Sequence, residues 1–598
     1  MIVDVSALLG LSLTTRAPGT AMQLQDLLSR GYFPIQLPVG FSTKQLAEHI
    51  GAVEANWDEA LDGRRRILSQ SERFSVARSS YSRRTTSIPN PVNFYGLAKD
   101  ICQYWPQIQE HFNKSEISRS IPGEGGSLRA IELTKFTDLY EERVRRSAGA
   151  RYALVTDISS YFPTIYTHTI PWALHSKAVA KARRDRVPDF FGNILDQRCM
   201  GTQDGQTIGL PIGPDTSHII AEMIGVAIDD SIRIALDGWP KGFRYVDDFT
   251  FFFNTREEAE RALAVIIKCV SAFELQINAS KTKIVEVREL VQESWKYTLK
   301  KLRVSAKRRQ QKDDIHHYFE VLFSLEARFK DESLVKYGLK QLSSTIIKKS
   351  NWPIAEAYLL KCGYGFPNTL QVITQILVTY HRHQYQLNRE ALGDFCNNLL
   401  GSASAANHHS ETAWLLWLCK ELEIHLDAAL VQQVLHMESS VCSLIALDLK
   451  HSGFVNGDLN LTDLGPLATR QALVGNNWML AYEGGRRRWL ANENLDFIQG
   501  DACFAALLEA GVGFYSEAAQ LPPIFQLKQS APMDIDFDSD DEIENDFDFD
   551  DMDEEYFDST DQGEDEDDGE PGAAQPVAVP GHFAGDDVDL DAVWLRDE

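Results

Sequence analysis

The chain has 598 residues and a formal net charge of −27. This length exceeds one compact core and predicts two or three domains plus tails, and a hydrophobic content of 44% is ample for their burial. Such acidity would normally exclude nucleic-acid binding, but residues 533–598 alone carry 28 Asp and Glu against one Arg. Residues 1–312 hold 42 Lys and Arg against 35 Asp and Glu, so nucleic acid remains a candidate partner of this part.

Cysteine usage and apolar runs exclude several other classes. The eight cysteines are scattered without a CxxC pair, so neither a zinc knuckle nor a disulfide framework is indicated, and a reducing cytoplasm is expected. The N-terminus lacks a basic segment before its apolar run, and no run of about 18 apolar residues predicts a membrane span. The sequence therefore predicts a cytoplasmic protein with no membrane partner.

The first part of the chain, residues 25–300, mixes helical patterns with short β-rich runs. These runs lie at 151–159, 243–253 and 281–287, each dominated by β-branched or aromatic residues. The alternation predicts an α/β or α+β region.

Strand signals fade after residue 313, and helical periodicity continues to about 515. In the segment 410–426, Ser410 is the expected N-cap. One face of that helix is expected to carry Trp414, Trp417, Leu418 and Leu422. We expect a helical array without a fixed repeat period, followed by an acidic segment, 534–570, that is too charged to build a core and is expected to be disordered.

Three carboxylates stand at the ends of predicted strands. The run FRYVDDFTFFF predicts a hairpin that reverses at Asp247 and Asp248, and an apolar strand upstream ends at Asp157. Taken alone, the hairpin is equally an ordinary turn with a polar tip. Three neighbouring carboxylates repel one another unless a divalent cation neutralises them, and their hard oxygens suit Mg²⁺. Two such ions stabilise the attacking and leaving oxygens of phosphoryl transfer.

The order of these motifs resembles that of a reverse transcriptase. YVDD, with the strand ending in D-x-S-S-Y-F about 90 residues upstream, resembles motifs C and A of the family. Between them QTIGLPIGPDTSHIIAEM, 206–223, resembles motif B, and LQINASKTKIVEV, 275–287, resembles motif D. SRRTTSIPNPVNFYGLAKDI, 82–101, is similar to the fingers segment of bacterial abortive-infection and defence-associated reverse transcriptases.

The resemblance implies an α+β right-hand polymerase with fingers and palm, followed by an all-α helical-array C-terminal domain and a disordered acidic tail. It places an N-terminal segment and the fingers at 1–125 and the palm at 126–295. A basic thumb-like connection and the helical domain follow at 296–515, and a linker and the tail at 516–598.

The resemblance also assigns roles at the metal and sugar positions. Asp157, Asp247 and Asp248 match the catalytic, metal-binding aspartates, with the carbonyl of Ile158 as a further ligand of two Mg²⁺ ions, for which Mn²⁺ can substitute. Phe162 matches the steric gate that excludes a ribose 2′-OH, although a core aromatic is the plainer interpretation.

Other residues match nucleotide and nucleic-acid contacts of the family. Arginine forks bind phosphate oxygens in pairs, so the fingers arginines are triphosphate candidates. The loop at 209–213 is expected to approach the nucleotide closely, and the basic run 296–312 to contact the template-primer backbone, with a solvated helix face as the alternative. The nucleotide-binding candidates are Arg83, Arg84, Phe162, Gly213, Lys281 and Lys283, and the nucleic-acid-binding candidates are Ser217, Lys307, Arg308 and Arg309.

The implied function is an RNA-directed DNA polymerase in bacterial antiphage defence. Its partners would be dNTPs, an RNA template such as a dedicated noncoding RNA, the DNA product, and a second copy of the chain or another defence protein. Some relatives work without a template or from a protein primer, so a template-independent or protein-primed DNA polymerase is an alternative. A catalytically silent RNA-binding scaffold and an RNA-dependent RNA polymerase are the other hypotheses.

Overall fold

The structure of the chain is a computed structural model. It describes residues 21–62, 67–126, 128–290, 295–491 and 494–525. The acidic tail that the sequence predicts to be disordered lies outside the described residues.

The N-terminal part combines short helices with a two-stranded antiparallel hairpin, here called the N-terminal hairpin. Its strands pair from Glu72 opposite Ile88 to Ala77 opposite Arg83. The helix after the hairpin begins at the sequence NP, because the Asn90 side chain accepts the Val92 N–H at 3.1 Å and proline suits the first helical position. The elements are α1 (Leu24–Ser29), α2 (Lys44–Glu48), α3 (Ile50–Asp62), β1 (Glu72–Ala77), β2 (Arg83–Ile88), α4 (Pro91–Gln103) and α5 (Trp105–Phe112).

The middle of the chain forms a four-stranded antiparallel sheet of order β6-β7-β5-β8. The β-rich runs predicted at 151–159, 243–253 and 281–287 are confirmed as strands of this sheet. The elements are β3 (Gly123–Glu124), β4 (Ile131–Glu132), α6 (Phe136–Ser147), β5 (Tyr152–Asp157), α7 (Tyr161–Thr164), α8 (Thr169–His175), α9 (Lys177–Ala182), α10 (Phe191–Gly201), α11 (Asp215–Ala235), β6 (Gly242–Tyr245), β7 (Asp248–Phe253), α12 (Arg256–Ser271) and β8 (Lys283–Glu286).

The pair β6–β7 is here called the central hairpin, and it is covered on both faces. Phe249 and Phe251 are fully buried and Phe252 nearly so, which explains a continuous apolar run rather than an alternating one. The long helix α11 is buried along most of its length, contacts α5, α8 and α12, and meets the central hairpin at Arg244.

The rest of the described chain is helical, as the sequence predicts, apart from one short parallel pair of strands. None of the helices in the described ranges combines the length and the apolarity needed to cross a bilayer. The elements are α13 (Trp295–Lys301), α14 (Arg308–Phe329), α15 (Ser333–Leu342), α16 (Trp352–Gly365), α17 (Leu370–Arg382), α18 (Arg389–Ala405), α19 (His409–Glu421), β9 (Leu426–Asp427), α20 (Ala428–Leu435), α21 (Ser440–His451), β10 (Val455–Asn456), α22 (Arg470–Val474), α23 (Trp478–Arg486), α24 (Asp496–Gln499) and α25 (Ala502–Glu509).

Helix α19 differs from its prediction in two ways. Its N-cap position is His408, and Ser410 lies inside the helix, where its hydroxyl accepts the Ala77 N–H at 3.0 Å and donates to Glu411 at 2.7 Å. The helix is also buried all round from His409 to Cys419 rather than on one face. The reason is tertiary, because α17, α18, α21 and β1 of the N-terminal hairpin all pack against this helix.

The helical region and the N-terminal part share a packed contact. Three buried tryptophans hydrogen-bond across it: Trp57 Nε1 donates to the Cys503 carbonyl at 3.1 Å, Trp414 Nε1 to Gln36 at 2.9 Å, and Trp478 Nε1 to Ile88 at 3.1 Å. A buried indole N–H that finds a partner fixes orientation as well as contributing apolar area. The helical region therefore belongs to the same packed body as the N-terminal hairpin.

Candidate active site

The three predicted carboxylates meet at one end of the central sheet. The last residue of β5, Asp157, is the cross-strand partner of Asp248, the first residue of β7. The Ile158 N–H donates to the Asp247 carbonyl at 3.1 Å, so the backbones of the two motifs touch. Asp157 and Asp247 are only 1% and 3% exposed, and Asp248 is half-buried.

The turn of the central hairpin differs in detail from its prediction. Both aspartates were expected at the reversal, but Tyr245 pairs with Asp248, so the two turn residues are Val246 and Asp247. Val246 has φ of 52°. For a β-branched residue this left-handed conformation costs about 1–3 kcal/mol, and it persists only where surrounding contacts impose it.

The donor set at this edge suits a hard divalent cation, since carboxylate oxygens are the ligands that Mg²⁺ prefers. Lys281 already places a positive charge there, with Nζ 3.2 Å from Asp157 Oδ2. Across the described ranges no three carboxylate, thiol or imidazole groups stand together at metal-ligand spacing.

A cleft open to solvent lies over this edge of the sheet, with about 1100 Å³ of space between its walls and at its open mouth. Its walls come from the N-terminal segment, the N-terminal hairpin, the loop before α11 and the central hairpin. Four residues predicted to bind nucleotide or catalyse the reaction lie on it together with Phe162: Arg84, Gly213, Asp247 and Asp248.

Phe162 lies on α7 and forms one wall of the cleft. Its ring centroid is 5.5 Å from that of His218, and its carbonyl accepts the Leu210 N–H at 2.9 Å. This bond ties the segment after Asp157 to the loop before α11. Burial holds the pKa of His218 well below its usual value, so the imidazole beside Phe162 is neutral.

The loop before α11 contains two glycines in conformations that other residues rarely adopt, Gly209 with φ of 92° and Gly213 with φ of 122°. A Cβ at Gly213 would lie 3.0 Å from Cγ of Pro34. The close approach predicted from the glycines is therefore partly to the chain itself. Ser217 is buried in the first turn of α11, and its N–H donates to the Pro214 carbonyl at 3.2 Å.

The two neighbouring arginines of β2 have different surroundings. Arg84 lines the cleft. Arg83 points to the opposite side of the strand and binds Glu411 of α19 through both terminal nitrogens, at 2.6 and 2.8 Å. Burial opposes ionisation of Glu411, but the hydrogen bonds and charge of Arg83 hold its pKa below the usual value.

The other basic candidates lie away from the cleft lining. Lys283 is exposed on β8, opposite Val155. The basic run predicted to contact nucleic acid covers α13, the connection and the first turn of α14, and its residues Lys307, Arg308 and Arg309 are exposed. Arg308 Nε donates to Ser350 Oγ at 3.0 Å.

Two residues of the cleft were missed by the sequence reasoning. Asp215, the first residue of α11, is buried, forms an ion pair with Arg129, and accepts the N–H groups of Ala130 and Ile131 at 3.0 and 3.3 Å. Burial raises the pKa of Asp215, and Arg129 partly offsets this. Arg129 also donates to the Gly213 carbonyl at 2.8 Å, so the pair seats the glycine loop. Only the position of Asp215 after a proline at a helix start hinted at it.

Three acids lie at this sheet edge, and an arginine and an aromatic ring line the cleft above it. This arrangement is typical of a nucleotidyltransferase of the polymerase type. Residues 104–308, about a third of the chain, match the family described as reverse transcriptase (RNA-dependent DNA polymerase). The protein thus contains a reverse transcriptase domain and is a nucleotidyltransferase, an RNA-directed DNA polymerase. A comparison with curated proteins finds no match to the chain.

Proposed function

We propose that the protein adds deoxynucleotides to a 3′-hydroxyl in the cleft over the central hairpin, copying RNA and releasing pyrophosphate. One observation carries this proposal: Asp247 and Asp248 line the same cleft as Arg84 and Phe162, and Asp157 pairs with Asp248 across the sheet. Template-directed DNA synthesis requires acids at the reacting phosphate, a guanidinium at the triphosphate and a ring at the sugar.

In this proposal the chain holds two Mg²⁺ ions through Asp157, Asp247 and Asp248, with the Ile158 carbonyl as a further ligand. When bound, the ions neutralise charge on the attacking and leaving oxygens. Mn²⁺, which also takes oxygen ligands, is expected to substitute.

The remaining residues bind and orient the substrates. Arg84 holds the triphosphate, and Phe162 occupies the space that a ribose 2′-OH would need. Lys281 lies next to Asp157 and can bind the leaving pyrophosphate or give it a proton. The roles predicted for Arg83, Lys283 and Ser217, and the phosphate contacts of Lys307, Arg308 and Arg309, stay predictions.

The resemblance of the motifs to defence-associated reverse transcriptases supports a biological role in antiphage defence, with a noncoding RNA as template and the cytoplasm as the place of action. Purification of the protein from its host and sequencing of copurifying nucleic acid tests this role. A defined copurifying RNA is expected, and the absence of any enriched nucleic acid would contradict a dedicated template.

The activity itself is tested by comparing dNTP with NTP incorporation, with and without an RNA template and a primer. Incorporation of dNTPs that requires template RNA and matches its sequence is expected. Incorporation without RNA would favour the template-independent or protein-primed alternative. Preferred use of NTPs would favour an RNA polymerase. The absence of any incorporation would favour a silent RNA-binding scaffold.

A further inference from the structure

Beneath the central hairpin lies a fully buried arginine that the reaction proposed above does not use. Arg244, on β6, directs its guanidinium at two carboxylates of α11. Nε and Nη2 donate to Asp229 at 2.8 and 2.9 Å, and Nη1 and Nη2 donate to Glu222 at 3.0 and 2.9 Å. Burying three charges is unfavourable unless all of them are paired, and this geometry pairs each one twice.

The segment before β3 completes this network with two serines that have parallel contacts. Ser115 Oγ donates to Asp229 at 2.7 Å and accepts the Ser118 N–H at 3.0 Å. Ser120 Oγ donates to Glu222 at 2.8 Å and accepts the Val246 N–H at 2.8 Å. Each serine thus links a carboxylate to a backbone N–H. The N–H bound by Ser115 belongs to the same segment as the serines, whereas the N–H bound by Ser120 belongs to the turn of the central hairpin.

The helix α11 approaches the guanidinium closely because it has a glycine there. A Cβ at Gly225 would lie 2.7 Å from both Cζ and Nη1 of Arg244. The backbone of Arg244 is also fixed, since its N–H donates to the Ile117 carbonyl at 2.9 Å and its carbonyl accepts the Arg119 N–H at 2.7 Å. The arginine is therefore held from both sides.

The network binds both backbone polar groups of the strained turn residue. Besides the Ser120 bond to the Val246 N–H, Arg244 Nη1 donates to the Val246 carbonyl at 2.8 Å. Val246 is the β-branched residue with φ of 52°, and it directly precedes Asp247. A conformation of this kind persists where its surroundings over-determine it.

We propose that Arg244 and Ser120 are positioning residues, which lock Val246 in its left-handed conformation and so set the direction in which Asp247 and Asp248 enter the cleft. The expected change in kcat rests on the proposed function, whereas the expected change in hydrogen exchange of the turn does not. Ser120 and Arg244 do not line the cleft, so their effect on catalysis passes through the turn.

The two serines provide a matched test. In Ser120→Ala the turn loses one anchor, and kcat for dNTP addition is expected to fall about tenfold with KM for dNTP little changed, because one hydrogen bond that orients the acids is lost. Ser115→Ala also removes one bond to a carboxylate and one from a backbone N–H of the same network, but none from the turn and none from Arg244, whose Nη1 donates to Ser120 Oγ at 3.3 Å. Its kcat is expected to stay within about twofold of the wild type. Equal losses in the two variants would overturn the proposal.

A rescue variant separates positioning from general loss of stability. Glycine adopts positive φ without the steric cost that valine has, so Val246→Gly in the Ser120→Ala background is expected to recover part of the lost kcat. If the serine acted only on folding, Val246→Gly would raise the melting temperature of the double variant without raising kcat per folded molecule, and that result would contradict the proposal.

Amide hydrogen exchange gives a readout that does not depend on activity. Exchange in peptides covering residues 244–250 is expected to accelerate about tenfold in Ser120→Ala and to remain unchanged in Ser115→Ala. Unchanged exchange in both variants would overturn the proposal even if the protein were inactive, whereas an inactive wild type with the expected exchange pattern would contradict only the proposed function.

Discussion

Two antiparallel hairpins border the cleft, and different parts of the chain hold them in place. The central hairpin is held by β5, α11 and the Arg244 network, all between residues 115 and 253. The N-terminal hairpin is held largely by the helical region: Glu72 accepts the Ser440 N–H at 2.7 Å, and Arg83 binds Glu411.

This difference shows that one of the two hairpins that border the cleft lies outside the residues matched to the reverse transcriptase family. The family match at 104–308 contains the anchors of the central hairpin named above, yet it contains neither the N-terminal hairpin nor α19 and α21. Arg84 reaches the cleft from β2, on which the neighbouring Arg83 binds Glu411 of α19. The helical region thus helps to hold one wall of the cleft.

The largest expected effect concerns the central hairpin. Asp247→Asn removes a charge at the reacting phosphate, so dNTP addition should fall at least about a thousandfold while the melting temperature stays within a few degrees. Primer extension and thermal unfolding measure the two quantities. The control Asp230→Asn breaks only an i,i+3 pair with Arg233 near the surface of α11 and should leave extension unchanged. Full extension by Asp247→Asn would exclude this hairpin as the catalytic one.

The anchor of the N-terminal hairpin at α21 should make stability depend on pH. Burial raises the pKa of Glu72 from 4.5 to about 7, although the Ser440 and Val441 N–H groups favour the charged form. Because the folded state binds this proton more tightly than the unfolded chain, the stabilisation is complete below the unfolded pKa and is lost as pH rises through about 7.

The free energy of unfolding should fall by up to about 3 kcal/mol across this range on account of Glu72, and Glu72→Gln should remove that part of the slope. Urea unfolding between pH 5 and 8 measures it. Glu257→Gln, at an exposed position of α12, should keep the wild-type slope. A wild-type slope in Glu72→Gln would mean that this carboxyl does not titrate in the range.

Variants of the Arg83–Glu411 pair at α19 distinguish two roles of Arg83, support of the N-terminal hairpin and contact with the triphosphate. In Arg83→Met the buried Glu411 loses its arginine and keeps the Ser410 hydroxyl, which should cost about 2 kcal/mol, less than for a fully enclosed pair because the arginine side chain is 22% exposed. The double variant Arg83→Met with Glu411→Met should recover most of this stability and a near-normal KM for dNTP. A KM that stays raised in the stable double variant would instead support the predicted contact of Arg83 with the triphosphate.

The smallest expected effect lies where the two hairpins face each other across the cleft. Phe162→Ala should raise ribonucleotide relative to deoxynucleotide incorporation about tenfold or more, because the ring no longer fills the space of the 2′-OH. Single-nucleotide extension with dNTP and NTP measures the ratio. An unchanged ratio would show that Phe162 only packs against His218.

The strands and the order of the motifs could be predicted from the sequence because both are local. The apolar run to Asp157 and the aromatic run after Asp248 each carry their own strand signal, and two strands ending in acids predict a shared edge. The helical character beyond residue 313 follows in the same way from periodicity.

The remaining features depend on contacts between distant segments. Nothing local distinguishes Arg83 from Arg84, since the side of β2 that faces the cleft is set by α19, more than 300 residues away in sequence. Nothing local places Val246 at positive φ either, because Ser120 and Arg244 impose it. The pairing of Arg129 with Asp215 also joins distant segments, 86 residues apart in sequence.

The central claim is that the helical region fixes the N-terminal hairpin and leaves the central hairpin independent. Hydrogen exchange of the whole chain, compared between wild type and Glu411→Ala, tests it most directly. In Glu411→Ala we expect faster exchange in peptides of residues 72–88 and unchanged exchange in peptides of residues 242–253. Unchanged exchange in the first set, or equal acceleration in both, would contradict it.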